Sequence, residues 1–270
     1  MNFQVKWNRL RASMEILALD LSLSYRFPLA EIYMALYTFF LVIAAIPRSP
    51  IPMGLATYFI YLYFSTLLPK FITNILIARN IAFGFASEIE KGLLQTILTY
   101  PIKRADLFII KILSCIIIPY LFFNSSLILA TYILYPEVIA YFGFKIILFS
   151  LAVTGSCILF GALALAASIF IKRGGASLGI GIAIYFALEI ISAAAMFFAG
   201  VSRRIEYTYV LFILNPLLAL ASHYVMQLPF IWTPQLSFYE ALGYLILHYL
   251  ISISILTGLT IYFTRRFEPV

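Results

Sequence analysis

Charged side chains are scarce in this chain. Asp, Glu, Lys and Arg together make up 11% of its 270 residues, whereas hydrophobic residues make up 64%. A soluble domain usually carries about 25% charged residues, so this composition excludes a protein that faces water all round. The basic residues collect at the ends of apolar runs, as is typical of membrane-protein loops. The net charge of +7 therefore does not indicate a nucleic-acid partner.

The residues that usually build disulfides, metal centres and catalytic sites are equally few. Cys115 and Cys157 lie in separate apolar runs without metal-site spacing, so we expect two small buried packing residues rather than a disulfide framework. His223 and His248 are isolated, and no G-x-x-x-x-G-K-[ST] phosphate loop occurs in the sequence. We therefore expect no catalytic site, no metal and no cofactor in this chain.

Long apolar runs are what the sequence has instead. A membrane-crossing helix needs about 20 mostly apolar residues. Six stretches meet this length, and they predict an all-α polytopic membrane protein that forms one transmembrane domain over residues 1–270. The predicted spans are 27–46, 53–78, 107–135, 142–171, 177–200 and 238–263. The distribution of Lys and Arg between alternate loops predicts that both termini are cytoplasmic and that the protein is a multi-pass component of the cell membrane.

The segment before the first span, residues 1–26, predicts an amphipathic helix. Apolar residues recur there at alternating spacings of three and four, which places them on one helical face: Trp7, Leu10, Met14, Leu17 and Leu21. A basic amphipathic helix of this kind tends to lie in the membrane interface. It could be a connecting element that slides with a partner or a passive anchor.

The long outer segment 201–237 precedes the last span. Asn215-Pro216 fits the start of a short helix, with Asn as the N-cap and Pro at the first helical position. Because the apolar piece that follows is too short to cross, we expect a re-entrant or interfacial hairpin on the outer side. Ser237 and Glu240 have the spacing of a capping box, which predicts the start of the last helix.

A charged island, EIEKGLLQTILTYPIKRADLFIIK, occupies residues 88–111 between the second and third spans. Ser87 and Glu90 again have capping-box spacing, and Tyr100-Pro101 would end a helix. The pattern predicts a short amphipathic surface helix over 87–100, with Leu94 on its apolar stripe. From the residues alone, the island could equally be a polar loop that fixes topology.

The island resembles the signature segment of type-2 ABC transporter permeases. In that family an acidic pair is followed by Gly, an apolar helix, Pro, a basic residue and Lys. Matching positions in this chain are Glu88, Glu90, Gly92, Pro101, Arg104 and Lys111. Two mild departures are Leu93, where the family often has Thr, and Ile110, where Gly is common.

The resemblance implies a coupling helix at 87–100 that docks into a cytoplasmic ATPase, with Leu94 among the contacting residues. It also implies a permease dimer, of identical chains or paralogues, with two ATPase subunits that carry ATP and Mg. The function it implies is the transport subunit of an ABC exporter, not an enzyme. The alternative is an ATP-independent channel or secondary transporter. The resemblance does not indicate the cargo.

In type-2 permeases, cargo is described as passing along the dimer interface beside the second and fifth spans. On that resemblance the predicted lining residues are Tyr58, Tyr61, Phe64, Phe186 and Glu189. An ionisable group inside a membrane is costly, so Glu189 would either face the path or pair with a neighbouring charge. Lys70 is expected to extend towards the cytoplasmic interface. The small pair Gly175 and Gly179 predicts a close helix contact, within the chain or in the dimer.

Overall fold

A computed structural model describes residues 3–25, 55–99, 102–134, 145–202, 205–224 and 234–266, together with Ala35 and Gly143. Side chains are described from Arg11 onward in the first range and from Thr66 onward in the second. The predicted first span lies outside the described residues. So do Pro101 and the side chains of five predicted interface or pathway residues: Trp7, Leu10, Tyr58, Tyr61 and Phe64.

The described part of the chain is all-helical and contains no strand. Its helices are α1 (Phe3–Ser24), α2 (Leu55–Ile81), α3 (Ser87–Glu90), α4 (Leu93–Ile97), α5 (Arg104–Ile112), α6 (Ile118–Leu134), α7 (Lys145–Ile171), α8 (Gly174–Ser202), α9 (Ile205–Leu214), α10 (Pro216–Tyr224) and α11 (Phe238–Arg265). Two π-helical segments join neighbouring helices without a break: Ala82–Ala86 between α2 and α3, and Leu113–Ile117 between α5 and α6.

Four described helical stretches are long and apolar enough to cross a membrane. They are Arg104–Ile133, Lys145–Ile171, Gly174–Val201 and Phe238–Arg265. These stretches support the predicted all-helical membrane architecture. The total of six spans stays a prediction.

Helix α7 is the centre of the bundle. It packs against α2, α6, α8, α10 and α11, and most of its side chains are buried. Close approach is possible where α7 carries glycine: an added Cβ at Gly161 would lie 2.8 Å from Ile116 Cγ2. At one end of the bundle, Phe108 stacks on Phe263 with 4.7 Å between ring centroids, and Phe85 packs against both. The C-terminal end of α11 therefore lies beside the first π-helical segment and α5.

The N-terminal segment is helical, as predicted, but its protein-facing side differs from the predicted apolar stripe. Among the α1 side chains that are described, from Arg11 onward, Asp20 alone is buried, and Leu17 and Leu21 beside it are half-buried. Met14 points away from the bundle and is 63% exposed. The side of α1 that contacts the bundle is therefore centred on a charged residue, and only part of the predicted apolar face is buried.

Segment 201–237, which is predicted to lie on the outer side, contains two short helices in its described part. Helix α9 follows α8 and packs against it, and α10 begins at Pro216, as predicted, and packs against α11. Helix α11 begins with the predicted capping box: Glu240 N donates to Ser237 Oγ, and Ser237 N donates to Glu240 Oε2 at 2.7 Å. Residues 225–233 of the predicted hairpin lie outside the described residues.

Candidate functional site

Ser87 is not a helix cap, contrary to the prediction from its spacing to Glu90. The chain arrives at Ser87 already helical, and the Ser87 N–H donates to Ala82 O, five residues earlier. No side-chain cap forms at the start of α3. The helix ends instead at Gly92, whose φ of 70° is the left-handed conformation common just after a helix end. Helix α2 therefore continues through the π-helical segment to Glu90.

The predicted helix 87–100 is consequently divided at Gly92. Beyond it, α4 is one short helix in which Leu94 is completely buried, whereas Leu93 is 49% exposed. Leu94 belongs to the hydrophobic core of the bundle, so it is not available to a partner, and its predicted coupling contact is corrected. The outer face of this loop is formed by Lys91, Leu93, Gln95, Thr96 and Thr99.

Lys111 lies in a buried ion cluster. Its Nζ is 2.6 Å from Asp20 Oδ1 and 2.7 Å from Glu88 Oε2, and its side chain is 0% exposed. Ser114 Oγ donates to Asp20 Oδ2 at 3.0 Å. A buried ammonium is tolerated only when it is paired and hydrogen-bonded. Lys111 and Glu88 are therefore internal connections between α1, α3 and α5, and their predicted part in coupling to an ATPase stays a prediction.

Burial raises the pKa of the Glu88 carboxyl above its ordinary value of 4.5, although Lys111 opposes the shift. The folded state therefore binds the Glu88 proton more tightly than the unfolded state does. We expect this group to add stability as the pH falls through the raised pKa, with the full contribution present below about 4.5. Unfolding measured from pH 7.5 downward should show this gain in the wild type. The gain should be absent from Glu88→Gln, and an identical pH dependence in the two proteins would contradict the assignment.

Glu90 holds the start of α8. Its Oε2 accepts a hydrogen bond from Gly174 N at 2.9 Å, which places a carboxylate at the positive end of the helix dipole. Gly174 itself lies against the π-helical segment: an added Cβ would be 3.1 Å from Ser87 Cβ and 3.2 Å from Ala82 O. We refer to Asp20, Glu88, Glu90, Lys111 and Gly174 as the charged joint. Four helices, α1, α3, α5 and α8, meet there.

A second set of hydrogen bonds ties the C-terminal end of α1 and the adjoining Tyr25 to the C-terminal end of α2 and to the second π-helical segment. Asn80 Nδ2 donates to Tyr25 Oη at 3.1 Å, and Tyr25 Oη donates to Ser114 O at 3.0 Å. Arg79 Nη1 donates to Ser24 O at 3.3 Å, and Cys115 Sγ donates to Asn80 O at 3.4 Å. π-Helical insertions are frequent at functional sites. Both insertions lie next to the charged joint.

A polar cleft lies between α2, α7 and α8, away from the joint. Lys70 Nζ is 2.6 Å from Glu189 Oε1. The sequence predicts that Lys70 extends towards the cytoplasmic interface, but it pairs with Glu189 instead. The cleft has a cavity volume of about 40 Å³. Asn74 Oδ1, in a side chain that is 2% exposed, has no hydrogen-bond partner among the described residues. The polar side chains of the cleft include Thr66, Lys70, Asn74, Ser156, Glu189 and Ser192.

The other predicted pathway features on α8 face outward. Phe186 is 51% exposed and does not line the cleft, although its ring packs against Phe71 and Tyr185. An added Cβ at Gly175 or Gly179 would have no described atom within 4 Å. Close packing of this glycine pair against the described part of the chain is therefore excluded, and a contact with another chain stays a prediction.

The cysteines and histidines occupy structural positions. Cys115 and Cys157 are free and buried, as predicted. His223 Nδ1 lies 3.0 Å from Leu236 O, and His248 Nδ1 lies 2.8 Å from Ile213 O. Within the described ranges, no group of three or more His, Cys, Asp or Glu side chains could hold a metal ion.

No family model, curated protein or solved structure matches this chain. The function is therefore inferred from the two polar centres themselves. The charged joint connects an exposed loop to four helices, so a displacement of the loop would be passed on to those helices. The cleft places a charge pair inside the bundle and suits the binding of a polar group.

Proposed function

We propose that this chain is the membrane-spanning permease subunit of an ATP-driven exporter similar to the type-2 ABC transporters. It would act in the cell membrane as a dimer, with six spans and both termini cytoplasmic. Two separate ATPase subunits would bind ATP and Mg and carry out the hydrolysis. The chain itself would supply the transport path and no catalytic residue.

The observation that supports this proposal is the way in which the exposed loop is fastened. Glu88 and Lys111 lie on either side of the loop and are joined by an ion pair of 2.7 Å. Glu90 fastens the same end to α8 through Gly174, and Asp20 fastens it to α1. A force on the loop would therefore reach α2, α5, α8 and α1 together, whereas a loop that only fixes topology needs no such attachments.

Coupling by this route requires two arrangements of the helices. The ATP-bound partner must bind one arrangement more tightly than the other, because a ligand shifts an equilibrium only by its difference in affinity. The docking surface consists of the exposed loop residues Lys91, Leu93, Gln95 and Thr96. Glu88 and Lys111 act behind this surface, and Glu90, which is itself exposed, joins it to α8 through Gly174.

Leu93→Asp should separate the chain from its ATPase. Burying a Leu side chain in an interface is worth roughly 1.5–3 kcal/mol, which corresponds to at least about a tenfold change in affinity. The wild-type chain, purified with an affinity tag from its native membrane, should carry a Mg-dependent ABC ATPase activity. Leu93→Asp should carry about a tenth of that activity or less.

The matched control is Val201→Asp, which places the same carboxylate at a residue that is 68% exposed at the opposite end of α8. This variant should keep the ATPase. Two results would count against the proposal: a wild-type preparation without the ATPase, and equal losses in the two variants.

The cleft supports a second candidate function, an ATP-independent channel or secondary transporter. Lys70 and Glu189 form a charge pair inside the bundle, and intramembrane charges are common in ion and proton pathways. This alternative predicts that vesicles containing only this chain transport their cargo when an ion gradient is imposed. Strict dependence on ATP and a second polypeptide would exclude it.

A further inference from the structure

We propose that the cleft between α2, α7 and α8 binds a zwitterionic head group that carries a primary ammonium and an anionic group. The ammonium binds Glu189 and Asn74, and the anionic group binds Lys70. This inference rests on the proposed transport function, because it assigns a substrate class to the path. It is derived from the charge, hydrogen bonding and size of the cleft.

The charge of the cleft selects a ligand with no net charge. Lys70 and Glu189 neutralise each other across 2.6 Å. A purely cationic or purely anionic ligand would bring an uncompensated charge into a low-dielectric site, which is costly. A zwitterion replaces one ion pair with two: its ammonium pairs with Glu189 and its anionic group with Lys70. The total charge stays zero before and after binding.

Asn74 selects the kind of ammonium. Asn74 lines the cleft, and its buried Oδ1 has no donor among the described residues. A buried acceptor of this kind requires a donor. A primary ammonium has three N–H donors and can bond Glu189 and Asn74 together, whereas a quaternary ammonium has none. The aromatic residues Phe160 and Tyr185 also line the cleft and favour a cation over an anion near their rings.

The size of the cleft restricts the ligand to a head group. A volume of about 40 Å³ holds on the order of three water molecules, which admits one small polar group such as an ammonium and excludes a ring system or a sugar chain. The remainder of the ligand must therefore project outward. Beside Glu189, the outer face of α8 is apolar, with Ile190 66% exposed and Phe186 51% exposed. Acyl chains fit this face, although a small free zwitterion has the same head-group chemistry.

The test measures binding by the purified chain alone, without an ATPase. Detergent-solubilised protein is titrated with phosphatidylethanolamine, phosphatidylcholine and phosphatidylglycerol, and bound lipid is counted by native mass spectrometry. Phosphatidylethanolamine should bind at least about tenfold more tightly than phosphatidylcholine, because hydrogen bonds to charged donors are among the stronger ones. Phosphatidylglycerol should bind more weakly than phosphatidylethanolamine. Parallel titrations with free phosphoethanolamine and phosphocholine show whether the head group alone is sufficient.

Three variants locate the binding. Asn74→Leu should remove the preference for the primary ammonium, and Glu189→Gln and Lys70→Met should each weaken phosphatidylethanolamine binding. Glu206→Gln changes an exposed carboxylate on α9 and should have no effect. Equal binding of phosphatidylethanolamine and phosphatidylcholine to the wild-type chain would overturn the proposal, and this comparison does not depend on the folding of any variant.

The two proposals fail in different ways. Leu93→Asp should lose the ATPase but keep the head-group preference, because Leu93 lies on the loop and not in the cleft. Loss of the preference with the ATPase still attached would overturn the cleft assignment alone. A preserved preference with no ATPase would overturn the exporter function and leave the binding site intact.

Discussion

Lys111→Met is expected to destabilise the folded bundle by roughly 3–5 kcal/mol, the cost of removing one partner from a buried ion pair. Asp20 and Glu88 would keep their carboxylates in a buried site without the ammonium that lies 2.6 and 2.7 Å from them. This loss is a large fraction of the 5–15 kcal/mol that typically separates folded and unfolded domains. Reversible unfolding in mixed detergent micelles measures it directly, with helix content as the readout.

Glu88→Gln is the matched comparison. It leaves Lys111 paired with Asp20, and Ser114 still donates to Asp20 Oδ2. The cluster then holds one ammonium and one carboxylate, so the change in unfolding free energy should stay within about 1 kcal/mol. The triple variant Asp20→Asn, Glu88→Gln, Lys111→Met removes every charge and should recover most of the stability that Lys111→Met loses. If Lys111→Met were no worse than Glu88→Gln, the ion cluster would not stabilise the fold.

The two capping-box patterns show where local sequence is sufficient and where it is not. Ser237 and Glu240 form the predicted box, because residues 234–237 before α11 are not helical and the helix must begin there. Ser87 and Glu90 have the same spacing, but the apolar residues before Ser87 continue the helix into it. A Ser and a Glu at this spacing therefore start a helix when the preceding segment is extended. When a helix already precedes them, they are ordinary helical residues.

The charged residues show a different limit. Because a charge inside the membrane is costly, Glu189 is predicted either to face the transport path or to pair with a neighbouring charge. The structure shows a charge pair. That the partner of Glu189 is Lys70 depends on how α2 is placed against α8, and this register is not encoded in either helix alone. The pairing of Asp20 with Lys111 cannot be predicted from spacing, because the two residues lie 91 positions apart in the chain. The position of Asp20 between Leu17 and Leu21, on a face that turns towards the bundle, was the available signal.

Within the described part of the chain, the glycines that make close contacts are not the pair that the spacing indicates. Gly175 and Gly179 have the small-xxx-small pattern, yet no described atom lies within 4 Å of an added Cβ at either. Gly155, Gly161 and Gly174 each lie against a neighbouring helix, and at Gly174 one of the neighbouring atoms is the backbone oxygen Ala82 O. Close contacts are set by where helices cross, so a sequence pattern on one helix does not locate them.

Gly174→Val is therefore expected to disconnect α8 from the charged joint. A Cβ alone would approach Ser87 Cβ to 3.1 Å and Ala82 O to 3.2 Å, and the two further methyl groups of valine cannot be accommodated without moving the turn between α7 and α8. Overpacking of this kind costs about 1–3 kcal/mol. The movement also separates Gly174 N from Glu90 Oε2. ATP hydrolysis by the bound partner should then no longer respond to transport.

Gly175→Val separates this effect from the poor helix propensity of valine. Both substitutions place the same β-branched residue in the first turn of α8, but an added Cβ at Gly175 has open space around it. Gly175→Val should therefore keep both the unfolding free energy and the coupled ATPase activity close to the wild-type values; a loss of the activity alone would indicate the predicted contact of Gly175 with a second chain. Equal behaviour of the two variants would mean that the contact between α8 and the π-helical segment is not needed for coupling. If only Gly174→Val uncouples the partner, movement of the loop must reach α8 through Glu90 and the backbone of the π-helical segment.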